Sequence, residues 1–171
     1  KLMALKTSDP NGNSPFSATI AAWNYARLKG CKLSNASFGV LGTYSQSLYD
    51  AANALAAAGH LIVAGAGNNY SNTDQTPFYP ASFNLPNIIS VAGTDQFDHI
   101  YDFSNFGLMS VDVGAPAWFI MSTAPNGGYS GAASGTSLAA PQVTGVAALI
   151  RTMQPTLTPA QIRDLVILTA R

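Results

Sequence analysis

The sequence has no glutamate and a single cysteine, Cys31, among its 171 residues. One thiol cannot close an internal disulfide, which excludes a small extracellular domain stapled by cystines. Charged residues make up only 9 %, against about a quarter in an average domain. Much of the surface must therefore be Ser, Asn, Gly, Thr and Gln. Eight aspartates balance eight lysines and arginines, and a formal net charge of zero gives no electrostatic basis for binding nucleic acid or an anionic membrane. No apolar run reaches the length needed to span a bilayer. Lys1-Leu2-Met3-Ala4-Leu5-Lys6 carries no signal-peptide pattern, so an export signal would have to lie upstream. Histidine is also scarce: His60 and His99 are the only two.

What is present reads as alternating strands and helices. Leu2 to Leu5 reads as a short buried strand. Ser14-Pro15 predicts a helix start, with proline at the first turn, and Gly30 its end. Cys31 to Ser34 is the next strand candidate, followed by a polar loop from Gly39 to Gln46. Leu48 to Ala58 reads as a second helix, stopped by Gly59. Leu61 to Ala66 is a continuous apolar run between glycines, as expected of a parallel strand buried on both faces. Asn68 to Thr76 is a loop and Ile88 to Ala92 another strand. This order argues an α/β layered fold with right-handed crossovers. Farther on, Val111 to Val113 and Trp118 to Ser122 suggest a hairpin-like pair around Gly114-Ala115-Pro116. Asn126-Gly127-Gly128 suggests a turn, with Tyr129-Ser130 a short edge strand. Val143 to Met153 predicts a deeply buried helix, and Thr158-Pro159 opens a last one with Ile162, Leu165 and Val166 facing inward.

Ser134-Gly135-Thr136-Ser137-Leu138-Ala139-Ala140-Pro141 runs small, flexible residues straight into that apolar helix. A serine there has two readings. It could be a helix N-cap, or a nucleophile held where the first-turn amides lack intrahelical partners and tolerate negative charge.

The wider string resembles a known family. Gly135-Thr136-Ser137-Leu138-Ala139-Ala140-Pro141 resembles the nucleophile motif of the subtilisin-like serine proteases. Val63-Ala64-Gly65-Ala66-Gly67-Asn68 is similar to the family's oxyanion-asparagine segment, and Ser34-Asn35-Ala36-Ser37-Phe38-Gly39 to one wall of its substrate groove. Tyr79-Pro80-Ala81, Phe103-Ser104-Asn105-Phe106-Gly107 and Val111-Asp112-Val113-Gly114-Ala115-Pro116 fit the same order. The resemblance implies a three-layer, mostly parallel subtilisin-like α/β sheet flanked by helices. Residues 1–171 would be the C-terminal portion of one catalytic domain, beginning after the segment that carries the family's catalytic Asp and His.

Further expectations follow from the resemblance. Ser137 is the nucleophile and Asn68 the oxyanion donor, with the Ser137 backbone N–H as second donor. Ser37, Phe38 and Gly39 on one side, and Gly65, Ala66 and Gly67 on the other, flank the specificity pocket. The first segment would pair an extended substrate strand to strand, and the near-absence of side chains in the second would leave a roomy apolar slot. A sizeable apolar residue before the scissile bond is then expected. No cofactor is required. A structural calcium or sodium ion would be held by Asp112 with carbonyls around Ala81, Phe83 and Ile88, a weak cage for calcium. Tyr79-Pro80 would be cis. Gln142 stands where most members carry a structural histidine.

His60, at a strand entry, reads as a surface residue, and His99 as part of a polar loop. Without a base this chain alone would be essentially inactive. Its partners would be polypeptide substrates and either the missing N-terminal segment of the same protease or a second copy, and the parent would be secreted. Two other readings are a non-catalytic interaction domain on the same sheet, and an acyl hydrolase borrowing His99.

Overall fold

The computed structural model describes residues 1–170. Helix α1 (Phe16–Leu28) leads into strand β1 (Leu33–Ala36), a short strand β2 (Val40–Leu41), helix α2 (Gln46–Ala57) and strand β3 (Leu61–Gly65). Strands β4 (Phe78–Tyr79), β5 (Ile88–Thr94) and β6 (Val113–Pro116) follow, then the hairpin β7 (Ile120–Ala124) and β8 (Gly128–Ala133). Helices α3 (Thr136–Met153) and α4 (Pro159–Thr169) complete the chain. The main sheet has the order β1-β3-β5-β6 and is parallel throughout.

Period-two alternation along β3 explains the layers. Leu61 and Val63 join Ile89 and Val91 in packing against Ala139, Ala140, Val143 and Ala147 of α3 and Ile162 and Val166 of α4. Ile62 and Ala64 turn the other way, onto Trp23 of α1 and Leu48, Ala52 and Leu55 of α2. The result is the three-layer α/β arrangement that the continuous apolar run implied. No helix among the described residues is long and apolar enough to cross a membrane.

Several expectations are corrected. Leu2 to Leu5 is not a strand: the segment is irregular, and Leu2 and Met3 are exposed. No strand among the described residues pairs with the outer edge of β1, and an apolar tetrapeptide without a ladder has nothing to hold it extended. The region around Gly114-Ala115-Pro116 is no hairpin turn. It is β6 itself, paired to β5 from Val91↔Val113 to Thr94↔Pro116. The edge position lets Pro116 sit in a strand without a lost ladder bond. The real hairpin turns at Asn126-Gly127, both at positive φ. Helix α3 starts seven residues before Val143, and it is buried on one side only: Val146, Leu149, Met153 and, on α4, Leu165 are exposed.

His60 is also not on the surface. It is fully enclosed, with Nδ1 2.7 Å from the Cys31 carbonyl and Nε2 2.7 Å from Ser34 Oγ. A carbonyl only accepts, so Nδ1 carries the proton and Nε2 accepts the Ser34 hydroxyl. Burial holds the imidazole below its ordinary pKa. The Cys31 bond opposes that shift, and the charges of Lys32 and Arg151 add to it. The unfolded chain thus takes up this proton at higher pH than the folded one. The contribution is complete above the ordinary histidine value, about 6.5, and is lost as pH falls below it, with a slope of up to about 1.4 kcal/mol per pH unit. Denaturant unfolding between pH 7.5 and 5.5 should show this slope in the native protein and a flatter profile in His60→Gln. Equal profiles would contradict the assignment.

Candidate active site

Loops leaving the carboxyl ends of parallel strands share one edge of a sheet. Here the exits of β1 (Ser37 to Gly39) and β3 (Ala66 to Asn68) meet the first turn of α3 at that edge. Gly65 allows the approach: a Cβ there would lie 3.0 Å from Thr136 Oγ1 and 3.1 Å from its carbonyl oxygen. Thr136 then links the loop to the helix twice. Its Oγ1 accepts the Gly67 N–H at 3.2 Å, and its own N–H donates to Asn68 Oδ1 at 2.9 Å. Since an N–H can only donate, the Asn68 oxygen faces Thr136 and the amide NH2 faces away.

Ser137 is not a cap. The N-cap is Gly135, at φ 145° and ψ 160° with no side-chain cap, a backbone state that suits glycine. Ser137 is therefore the second helical residue, where the backbone N–H has no intrahelical acceptor. The point where a Gly135 Cβ would stand lies 3.2 Å from Ser137 Oγ and 3.3 Å from Asn68 Nδ2. A serine hydroxyl and a side-chain NH2 thus converge on one space that only glycine leaves clear.

Pro141 lies inside α3. It has no N–H to give to the carbonyl four residues back, which is that of Ser137. Ser37 supplies the missing donor, its Oγ reaching the Ser137 carbonyl oxygen at 2.9 Å. Asn35 Nδ2 donates to Ser37 Oγ at 2.8 Å, and Thr144 Oγ1 lies 3.1 Å from Asn35 Oδ1. Ser37, expected as a groove residue, ties β1 to the backbone of the candidate nucleophile. Gln142 answers a similar need, with Nε2 donating to the carbonyls of Pro116 and Leu138 at 2.8 and 2.9 Å.

Asn105 carries a role that sequence reading assigned to no residue. Wholly buried, it donates from Nδ2 to the Ala66 carbonyl at 2.8 Å and accepts at Oδ1 from the N–H groups of Asn69 and Ser71 at 2.9 and 3.0 Å. It therefore holds the loop on both sides of Asn68. The only signal in the sequence was its place in the Phe103-to-Gly107 segment.

The expected roomy slot is not empty. A Cβ on Gly39 would lie 2.2 Å from Phe78 Cε1, and one on Gly67 would lie 2.8 Å from Phe78 Cδ2 and Cε2. The Phe78 ring thus occupies space that the glycine walls leave. Phe38 packs partly buried against the same core as Phe78, and Ala66 is buried.

At the proposed cation position, Asp112 is engaged from within the chain. Its Oδ1 meets Arg163 Nη2 at 2.6 Å, its Oδ2 accepts the Ser90 N–H at 2.8 Å, and Arg163 Nε donates to the Ile88 carbonyl at 2.9 Å. Two of the expected oxygen donors therefore already face a guanidinium, which neutralises the carboxylate. Ala81 and Phe83 are buried core residues on the neighbouring loop. This donor set does not fit a divalent ion. Tyr79-Pro80 is cis, as expected.

Neither histidine bonds to Ser137 among the described residues. His60 stands before β3 and Asn68 beyond it, with a strand of about 16 Å between them, and its ring nitrogens are spent on Cys31 and Ser34. His99 is exposed in the loop after β5, its Nδ1 3.5 Å from Asp95 Oδ2, and it makes no hydrogen bond to Ser137 among the described residues.

A profile of the subtilase family matches residues 1–171. The chain is similar to a thermophilic serine proteinase of Bacillus sp. (strain AK1), 39 % identical over 150 residues that make up 88 % of this chain and 35 % of that protein. It is likewise similar to thermitase of Thermoactinomyces vulgaris, 40 % identical over 150 residues, 87 % of this chain and 50 % of that protein. A solved cold-adapted subtilisin-like serine proteinase superposes with a TM-score of 0.83 at 32 % identity, over 94 % of this chain and 56 % of that one. The chain thus spans between a third and a half of the length of these two relatives.

Two substitutions separate the supports of this site. Asn105→Ala strands a buried carbonyl and two loop N–H groups and should cost about 3 kcal/mol. Ser37→Ala removes one donor and should cost about 1 kcal/mol. Denaturant unfolding measures both, and equal losses would contradict the assignment of loop support to Asn105.

Proposed function

The chain belongs to the subtilase family, and on that premise we propose that it forms the nucleophile-bearing part of a serine endopeptidase. The observation that carries this reading is the convergence of Ser137 Oγ and Asn68 Nδ2 on the space beside Gly135. Ser137 Oγ attacks the scissile carbonyl of a polypeptide, and its proton passes through the base to the amine that leaves as the C–N bond breaks. Water then hydrolyses the acyl-enzyme to release the acid and free Ser137. The carbonyl oxygen becomes negative in the tetrahedral intermediate and is met by Asn68 Nδ2 and the Ser137 N–H, donors fixed before the reaction starts.

A serine hydroxyl is a weak nucleophile until a base takes its proton. His60 is committed to Cys31 and Ser34, and His99 is exposed beside Asp95 with no hydrogen bond to Ser137 among the described residues. We therefore assign the base and its orienting acid to polypeptide outside residues 1–171, and infer that these residues alone turn over peptides poorly. No cofactor is needed for these steps. The family membership supports a secreted parent.

Labelling with a fluorophosphonate followed by intact-mass and peptide analysis tests this reading. The full-length gene product should take one label, on Ser137, and Ser137→Ala should take none. Residues 1–171 alone should label at least about a thousandfold more slowly, since loss of a triad's base costs on the order of a millionfold in turnover. Rapid labelling of the isolated segment would overturn the assignment of the base, and labelling at another serine would overturn that of the nucleophile.

A further inference from the structure

The walls read from the sequence as a groove, Ser37 to Gly39 and Gly65 to Gly67, lie on either side of a side chain that belongs to neither. Phe78 comes from β4, which pairs antiparallel with β2 in the register Leu41↔Phe78. Its backbone is fixed at both ends of the residue. The N–H donates to Ser82 Oγ at 3.0 Å, and the carbonyl accepts the Ser82 N–H at 2.9 Å. Next to it, the Pro77 carbonyl accepts the Gly42 N–H at 2.7 Å. The ring is half-buried and rests on the core formed with α1 and α2. One edge, Cε1 and Cζ, faces Gly39, and the opposite edge, Cδ2 and Cε2, faces Gly67.

The two glycines and the ring are complementary. At Gly39 an added Cβ would stand 2.2 Å from the ring, and at Gly67 2.8 Å from the ring and 2.3 Å from Asn105 Nδ2, so neither wall could carry a side chain while Phe78 keeps its place. The glycines therefore do not open a deep slot. Gly39 makes room for Phe78, and Gly67 for Phe78 and Asn105, so that the ring lies against both walls.

We propose that Phe78 is the residue that sets specificity at this site, shortening the pocket for the substrate residue before the scissile bond so that it takes small side chains such as Ala and excludes large apolar ones such as Phe. This reverses the preference that the glycine walls imply by themselves. It rests on the endopeptidase reading. An apolar side chain aimed at the gap would have to displace a ring seated in the core, whereas a methyl group stops short of it. Discrimination of this kind comes from overlap: a single methylene in an apolar pocket already changes kcat/KM by about tenfold or more.

The test uses the full-length gene product, with Phe78→Gly and Phe78→Ala, on peptide substrates that differ only in carrying Ala or Phe before the cleaved bond. Active serines are titrated with a fluorophosphonate, so that each rate is expressed per competent Ser137. Native protein should cleave after Ala with a kcat/KM at least about tenfold above that after Phe. Each variant should move the ratio toward Phe by about tenfold or more. If Ser137 titrates fully and the native protein cleaves after Phe as well as after Ala, the proposal is wrong. The same holds if the variants fold, titrate and keep the native ratio. Should the variants fail to fold, the native ratio decides alone. Absence of any titratable Ser137 in the native protein would instead remove the endopeptidase reading, and this proposal with it.

Discussion

The first turn of α3 can sit on the carboxyl ends of β1 and β3 only because Gly65 has no side chain. Any Cβ there would press on the Thr136 backbone and hydroxyl. The close approach lets Thr136 bond to Gly67 and Asn68 together, which orients the Asn68 amide. Gly135, in a backbone state that few other residues tolerate, then aims Ser137 at the same space. Two glycines and one threonine fix the geometry, and the polar groups of the site follow from them.

Satisfying the remaining backbone groups recruits residues far away in sequence. A proline five residues into a helix leaves one carbonyl without its donor, and here it is the carbonyl of Ser137 that Ser37 satisfies. The loop around Asn68 would likewise leave buried polar groups unpaired, and Asn105 meets them from the loop after β5. Both connections cross between elements. The position of the candidate nucleophile is therefore coupled to the packing of β1 and to the loop after β5, not to its own helix alone. Asp112 and Arg163 work by the same logic at the other end of the molecule, where charge is balanced inside the chain.

Much of this was legible in the sequence. The apolar run Leu61 to Ala66 announced a strand buried on both faces, and Ser14-Pro15 and Gly30 bracketed α1 within a residue or two. The family motifs located Ser137 and Asn68. Three things were hidden, each for a physical reason. Gly114-Ala115-Pro116 has turn-like composition, and only its place at a sheet edge makes it a strand. His60 looked superficial because its neighbours in sequence are Gly59 and a strand start, while the carbonyl and hydroxyl that bury it come from Cys31 and Ser34. Phe78 lies outside both groove segments, and its part in the site depends on the β2–β4 pairing, a two-residue ladder too short to show as periodicity. Local composition reports what a residue prefers, whereas these roles are set by what arrives from elsewhere.

The central claim is that Ser137 and Asn68 act on one reacting centre. The most direct measurement is a crystal structure of the full-length gene product with a phosphonate bonded to Ser137 Oγ. The account predicts that a phosphoryl oxygen lies about 2.7–3.1 Å from both Asn68 Nδ2 and the Ser137 backbone nitrogen, beside Gly135. An adduct whose oxygens all point away from Asn68, with that side chain still bonded to Thr136, would contradict it.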